Sequence, residues 1–249
     1  MEEDLSVLSR TANSPDQTLR YGTHADQIAD LRLGFAGADR PLLVLIHGGF
    51  WKPEYDRMHT EAMSSALSAA GWNVLTLEYR RIPGEPDLMV HDIEHALAQL
   101  PSTIPHRQQQ LILVGHSAGG HLALWAASRL SHIHGVLALA PAANLRLASE
   151  LDLGDNAVGR FLGTEAEQRG DLDPILLPKP TMKVCVLQGL EDAIVPPSVP
   201  RSYCDRFPEV AYRELSDCGH FALIDPLSNA WEIVEQTLLE LGQPTSGTA

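Results

Sequence analysis

Positive charge is the first shortage. Across 249 residues, 18 lysines and arginines face 32 aspartates and glutamates, a formal net charge of −14. A nucleic-acid backbone requires a basic footprint, and an anionic membrane surface repels an acidic chain, so neither partner is expected. Long apolar runs are also missing. No stretch approaches the roughly 20 residues that span a bilayer. The first ten residues, Met1–Arg10, are acidic and carry no apolar leader. Cysteine is sparse: Cys185, Cys204 and Cys218 are odd in number and lack metal-like spacing, which excludes a disulfide framework or a zinc site. A reducing, cytoplasmic setting is expected, with no metal and no cofactor; a homodimer is compatible with the composition. What the chain has is 44% apolar residues, enough for a sizeable core.

Residues 1–16 are polar, with the turn cluster Asn13-Ser14-Pro15-Asp16, and read as a loose arm. Strands are predicted at Gln17–Tyr21, Gln27–Leu33, Leu42–Ile46, Asn73–Tyr79, Leu111–Val114, Gly135–Ala140, Lys183–Gln188 and Ala211–Leu215. Between them, Arg57–Ala70 reads as a helix with Met58, Ala62, Ala66 and Ala69 on one face. Further helices are predicted at Asp87–Leu100, Ser117–Leu130 and Ser198–Phe207, the last with Ser198 as N-cap. Asp225-Pro226 reads as the start of a final helix with Leu227, Trp231, Val234, Leu238 and Leu241 as its apolar face. Residues 141–180 lose the pattern, and 243–249 form a polar tail. Alternating strands and helices specify one α/β domain over 1–249, a mostly parallel sheet of about eight strands with helices on both faces. In such sheets ligands gather at the carboxyl ends of the strands.

Chemistry concentrates on Leu111–His121, LILVGHSAGGH. An apolar strand, the turn Gly115-His116-Ser117-Ala118-Gly119 and a helical run together give G-x-S-x-G the strand–turn–helix setting of a nucleophile. A serine hydroxyl needs a base, and the base needs an acid to fix its tautomer. Among eleven histidines, His220 follows the last predicted strand and is the best base. Asp192 follows Lys183–Gln188 on the same rim and is the chosen acid. Neighbouring Glu191 would point elsewhere, and Asp217 would need a sharp reversal to reach the base. Acyl transfer also needs donors for an oxyanion. Ala118 N–H follows the nucleophile, and His47-Gly48-Gly49-Phe50 supplies Gly49 and Phe50, with Gly48 supporting. Two other arrangements are weaker. His91-Asp92-Ile93-Glu94-His95 spaces two histidines as in a metalloprotease helix but lacks an evident third ligand. Cys218, near His220, has no strand–turn–helix setting.

Taken together, His47-Gly48-Gly49-Phe50-Trp51, the Ser117 turn, Glu191-Asp192-Ala193-Ile194-Val195-Pro196 and Gly219-His220-Phe221 resemble the α/β-hydrolase superfamily over about residues 20–241. Within it they resemble the kynurenine formamidase (arylformamidase) branch, close to the hormone-sensitive-lipase-like esterases. Trp51 in the HGG-x-W loop leans toward the formamidases, as does the run from Tyr21-Gly22 to Asp30-Leu31. The resemblance implies an α/β-hydrolase fold with a short cap at about 141–180. It implies a serine hydrolase that cleaves a small ester or aryl formamide through an acyl-enzyme. Trp51, Tyr55 and Phe221 either line an aryl pocket or pack against the rim. The alternatives are a general short-chain carboxylesterase without formamidase activity, and a ligand-binding module of this fold that performs no chemistry.

Overall fold

The apolar runs become strands. A computed structural model of the chain describes residues 3–36, 39–104 and 110–243. Among them, one sheet contains β1 (Gln17–Arg20), β2 (Ile28–Arg32), β3 (Leu42–Ile46), β4 (Val74–Leu77), β5 (Leu111–His116), β6 (Gly135–Leu139), β7 (Lys183–Gly189) and β8 (Ala211–Leu215). Their spatial order is β1-β2-β4-β3-β5-β6-β7-β8. The pairs β1–β2 and β2–β4 are antiparallel, and every other pair is parallel.

Seven α-helices accompany the sheet among the described residues: α1 (Glu61–Ala69), α2 (Pro86–Gln99), α3 (Ala118–Arg129), α4 (Leu145–Glu150), α5 (Ala157–Leu162), α6 (Ser198–Arg206) and α7 (Trp231–Gly242). Strand alternation splits the interior in two. Leu42, Val44 and Ile46 of β3 join the core of α2, α3 and α6, whereas Leu43 and Leu45 join that of α1 and α7. All five are buried, which is why β3 reads as an unbroken apolar run. Each such side chain contributes about 1.5–3 kcal/mol by leaving water. The sequence between β6 and β7 carries α4, α5 and short 3-10 turns.

Four local expectations are corrected. Residues Arg57–Thr60 form a 3-10 turn, which rephases α1, so its buried face is Met63, Ser64 and Leu67, and Met58 is exposed. Asp225 does not open the last helix. Its carboxylate accepts from Leu227 N and pairs with Arg10 at 2.6 Å, leaving Leu227 exposed, and α7 begins at Trp231. Ser198 is the first helical residue of α6 rather than its cap, which is Pro197. The arm is docked rather than loose: Ser6–Ser9 form a 3-10 turn, Val7 is buried, and Arg10 holds Asp225. Of the expected tail 243–249, all but Gln243 lies outside the described residues.

Candidate active site

Ser117 stands between the end of β5 and the start of α3 with φ 56° and ψ −120°. An L-residue rarely takes that conformation, and holding it costs on the order of 1–3 kcal/mol. Three main-chain bonds hold it. Ser117 N–H donates to Leu139 O at 2.8 Å, and Ser117 O accepts from His121 N and Ala142 N. The flanking glycines are sites of close approach. A Cβ on Gly119 would lie 2.0 Å from Ile46 O, and one on Gly115 would lie 2.2 Å from Gly119 O. Ser117 is the N-cap residue of α3, yet its hydroxyl makes no capping bond. The hydroxyl thus remains free beside the positive end of a helix dipole.

The loops after β7 and β8 meet next to this turn. His220 Nδ1 lies 2.7 Å from Asp192 Oδ2, and both residues are buried. The carboxylate is itself fully engaged. Oδ1 accepts from Ile194 N and Val195 N at 2.9 and 2.8 Å, and Oδ2 also accepts from Gln188 Nε2 at 3.1 Å. Glu191 turns away to accept from Cys218 N at 2.6 Å. The ring of His116, the residue before Ser117, is centred 4.5 Å from that of His220. No hydrogen bond joins Ser117 Oγ to the His220 ring among the described residues; catalytic hydrogen bonds often tighten only when substrate is bound.

The loop after β3 completes the cluster. Gly49, Phe50 and Trp51 have φ of 104°, 52° and 57°. A Cβ on Gly48 would lie 2.9 Å from Ser117 Cβ, so loop and turn are in contact. Among the described residues the N–H groups of Gly49, Phe50 and Ala118 have no acceptor. The loop is braced from behind. The Tyr79 hydroxyl donates to His47 O at 2.7 Å, the two rings stack, and His47 Nε2 faces Glu78 Oε1 at 3.1 Å. Burial opposes ionisation of Glu78, but His47, Arg81 and the Arg57 N–H prevail and hold its pKa down at about 2.

The three aromatic candidates separate. Trp51 is in the core, stacked on Phe161 of α5 at 4.6 Å and donating from Nε1 to His121 Nδ1, so it packs rather than lines an open pocket. Tyr55 is half-exposed, with its Cβ against Gly49. Phe221 meets the His220 ring edge-on at 5.2 Å. The segment between β6 and β7 is bolted to this region: Lys52 Nζ donates to Gly154 O at 2.9 Å, and Gly84 N donates to Arg160 O at 2.8 Å.

Sequence reasoning missed several contributors, because they are distant in the chain and carry no local motif. The Glu3 carboxylate accepts from His220 N at 2.9 Å and Ala193 N at 3.2 Å, touching both loops at once. His59 bonds His116, and Gln188 supports Asp192. The weaker arrangements are also resolved. Asp92 is buried against Arg80 and Gln27, and no group of three metal-ligating side chains occurs among the described residues. Burial, followed by Asp192, Glu191 and Glu3, pushes the Cys218 thiol up to about 12, so it is a thiol rather than a nucleophilic thiolate. No helix among the described residues is long and apolar enough to cross a membrane.

Comparison with known proteins agrees with this architecture. Residues 35–141 match the BD-FAE family. Kynurenine formamidase of Danio rerio is 32% identical over 117 residues, covering 45% of this chain and 39% of that protein. Esterase LipC of Mycobacterium tuberculosis is 26% identical over 247 residues, covering 82% of this chain and 59% of that protein. The chain thus spans between about two fifths and three fifths of these curated relatives. Esterase B of Lactobacillus rhamnosis, solved with a tributyrin phosphonate inhibitor, superposes with a TM-score of 0.76 at 20% identity, covering 93% of this chain and 88% of that one. By the order of its strands, the Ser117 turn at the end of β5 and the superposition on esterase B, the chain has the α/β-hydrolase fold.

Proposed function

We propose that the chain is a serine hydrolase that cleaves a small carboxylic ester or an aryl formamide, working as one domain with residues 141–180 as a short cap. The observation that carries this reading is the buried His220–Asp192 pair at 2.7 Å on the strand rim that presents Ser117. His220 Nδ1–H donates to Asp192, which leaves Nε2 unprotonated to act as base. Ser117 Oγ attacks the substrate carbonyl carbon as its proton passes to His220 Nε2. The carbonyl oxygen becomes an oxyanion in reach of the unpaired N–H groups of Ala118, Gly49 and Phe50, and one such donor is worth about 3–4 kcal/mol in the transition state. Protonated His220 then gives its proton to the departing alcohol or arylamine. Water, activated by the same base, releases the acid from Ser117; for a formamide that acid is formate.

The kynurenine formamidase match supports the formamide reading, and the LipC match supports a plain ester. Tyr55 and Phe221 flank the donors and the base and are the side chains proposed to meet an aryl group. The bolted cap fits a substrate dissolved as single molecules rather than one drawn from a lipid interface. The test is turnover of p-nitrophenyl acetate and N-formylkynurenine, with fluorophosphonate labelling, in wild type and Ser117→Ala. Wild type is expected to turn over and label, and Ser117→Ala to lose kcat by a factor on the order of 10⁶. Undiminished turnover or labelling in Ser117→Ala would refute the reading, and ester turnover without formamide turnover would make the protein a carboxylesterase.

A further inference from the structure

The main chain of His220 is gripped on both sides. Its N–H donates to Glu3 at 2.9 Å, and its carbonyl oxygen lies 3.1 Å from His116 Nε2. His116 Nδ1 in turn lies 3.1 Å from His59 Nε2. The direction of this chain follows from what each atom can do. A carbonyl oxygen only accepts, so His116 carries a proton on Nε2. Burial first, then His220 and His59, keep the His116 pKa well below the ordinary histidine value, so its ring is neutral and Nδ1 is an acceptor. His59 Nε2 is therefore the donor. His59 is neutral as well, pushed down to about 3 by burial and by His47 and His220. Phe221 closes the group, with ring centres 5.7 Å from His59 and 5.9 Å from His116.

We propose that His116, oriented by His59, is a positioning residue that fixes the His220 peptide through its carbonyl and keeps that flank of the base uncharged. The proposal rests on the serine-hydrolase reading. His220 begins a short 3-10 turn, with φ −60° and ψ −49°. Rotation about those bonds would swing Nε2 away from Ser117, and a misplacement of about 1 Å costs on the order of a hundredfold in rate. Neutrality matters because His220 becomes cationic midway through each half-reaction. A neutral ring centred 4.5 Å away does not oppose that charge, whereas a cation there would.

Protein labelled with ¹⁵N in its histidines tests this directly. Two-bond ¹H–¹⁵N correlation spectra at neutral pH, assigned with His59→Gln and His116→Gln, are expected to show both rings neutral and protonated on Nε2 alone. Protonation of His116 on Nδ1, or on both nitrogens, overturns the proposal. In ester hydrolysis, His116→Leu is expected to lower kcat on the order of a hundredfold with KM little changed, and His116→Gln, which keeps a donor at that position, to recover most of the loss. Full activity in a folded His116→Leu, or equal losses in the two variants, overturns it too. The tautomers need no turnover to be read, so an inactive wild type would refute the hydrolase reading while the spectra still decide the role of His116.

Discussion

Mild acid should strongly destabilise this protein before its carboxylates protonate. Three histidines are buried and neutral: His59 and His121 are pushed down to about 3 and about 4, and His116 lies well below its ordinary value. Burial is the leading cause in each. His121 illustrates the structural reason. Its Nε2 bonds Leu172 O and its Nδ1 accepts from Trp51 Nε1, so a second proton would break the Trp51 bond. The sign follows from linkage. Unfolded histidines bind protons below about pH 6.5 while these three do not, so their stabilising effect is complete above that pH and is lost as pH falls toward the folded values. Each group costs about 1.4 kcal/mol per pH unit, so His59 and His121 together cost about 3 kcal/mol per unit, and His116 acts in the same direction. By about pH 5 these two alone lose roughly 4 kcal/mol, a large part of the stability of many domains. Urea unfolding followed by tryptophan fluorescence from about pH 8 to pH 5 measures it. The midpoint should be nearly level above pH 7 and fall steeply below pH 6.5, and His59→Gln should flatten the early part of that fall. A midpoint unchanged between about pH 7 and pH 5 would refute the reasoning.

Other perturbations probe separate parts of the site. Asp192→Asn must keep its remaining oxygen on the Ile194 and Val195 N–H groups, which turns its amide toward His220 Nδ1 and forces the wrong tautomer; kcat should fall by about 10⁴-fold in a steady-state assay, and a loss under tenfold would contradict the assignment. Gly119→Ala drives a Cβ to within 2.0 Å of Ile46 O; thermal unfolding should reveal a loss of at least about 1–3 kcal/mol, against none if the approach is loose. Glu3→Ala removes the acceptor shared by the His220 and Ala193 N–H groups. Its kcat should drop about tenfold with KM little altered, and an unaltered kcat would separate the arm from the base.

Much of the fold was legible because its central strands are buried on both faces. Leu42–Ile46 and Lys183–Gln188 are apolar enough to announce themselves, and the structure agrees with both to within a residue. Ser117 and Asp192 follow two such strands, β5 and β7, and His220 follows β8, a partly exposed edge strand, so chain order puts the three proposed residues on one rim. Failures arose where tertiary partners reassign a local signal. Asp225-Pro226 has the chemistry of a helix start, but Arg10, 215 residues earlier, takes one carboxylate oxygen and Leu227 N the other. The stripe Met58–Ala69 has helical spacing, but the 3-10 turn at its start shifts the phase. Whether Trp51 lines a pocket or packs stayed open because the motif gives its place in the loop but not its direction, which Phe161 and His121 decide. Glu3 and His59 carry no periodicity or spacing that links them to His220.

The placement of Glu3 gives the molecule a front and a back. Glu3 reaches the rim where β7 and β8 end, against the proposed base. Gln243 lies at the other edge, its carbonyl near Lys183 at the start of β7, and Gly242 packs near Pro41 just before β3. A strand of five to seven residues separates these edges, roughly 15–20 Å. A label carried on Glu3 would therefore sit against His220. Gln243 stands at the opposite ends of the strands, which makes it the place for a fluorophore or for attachment to a solid support.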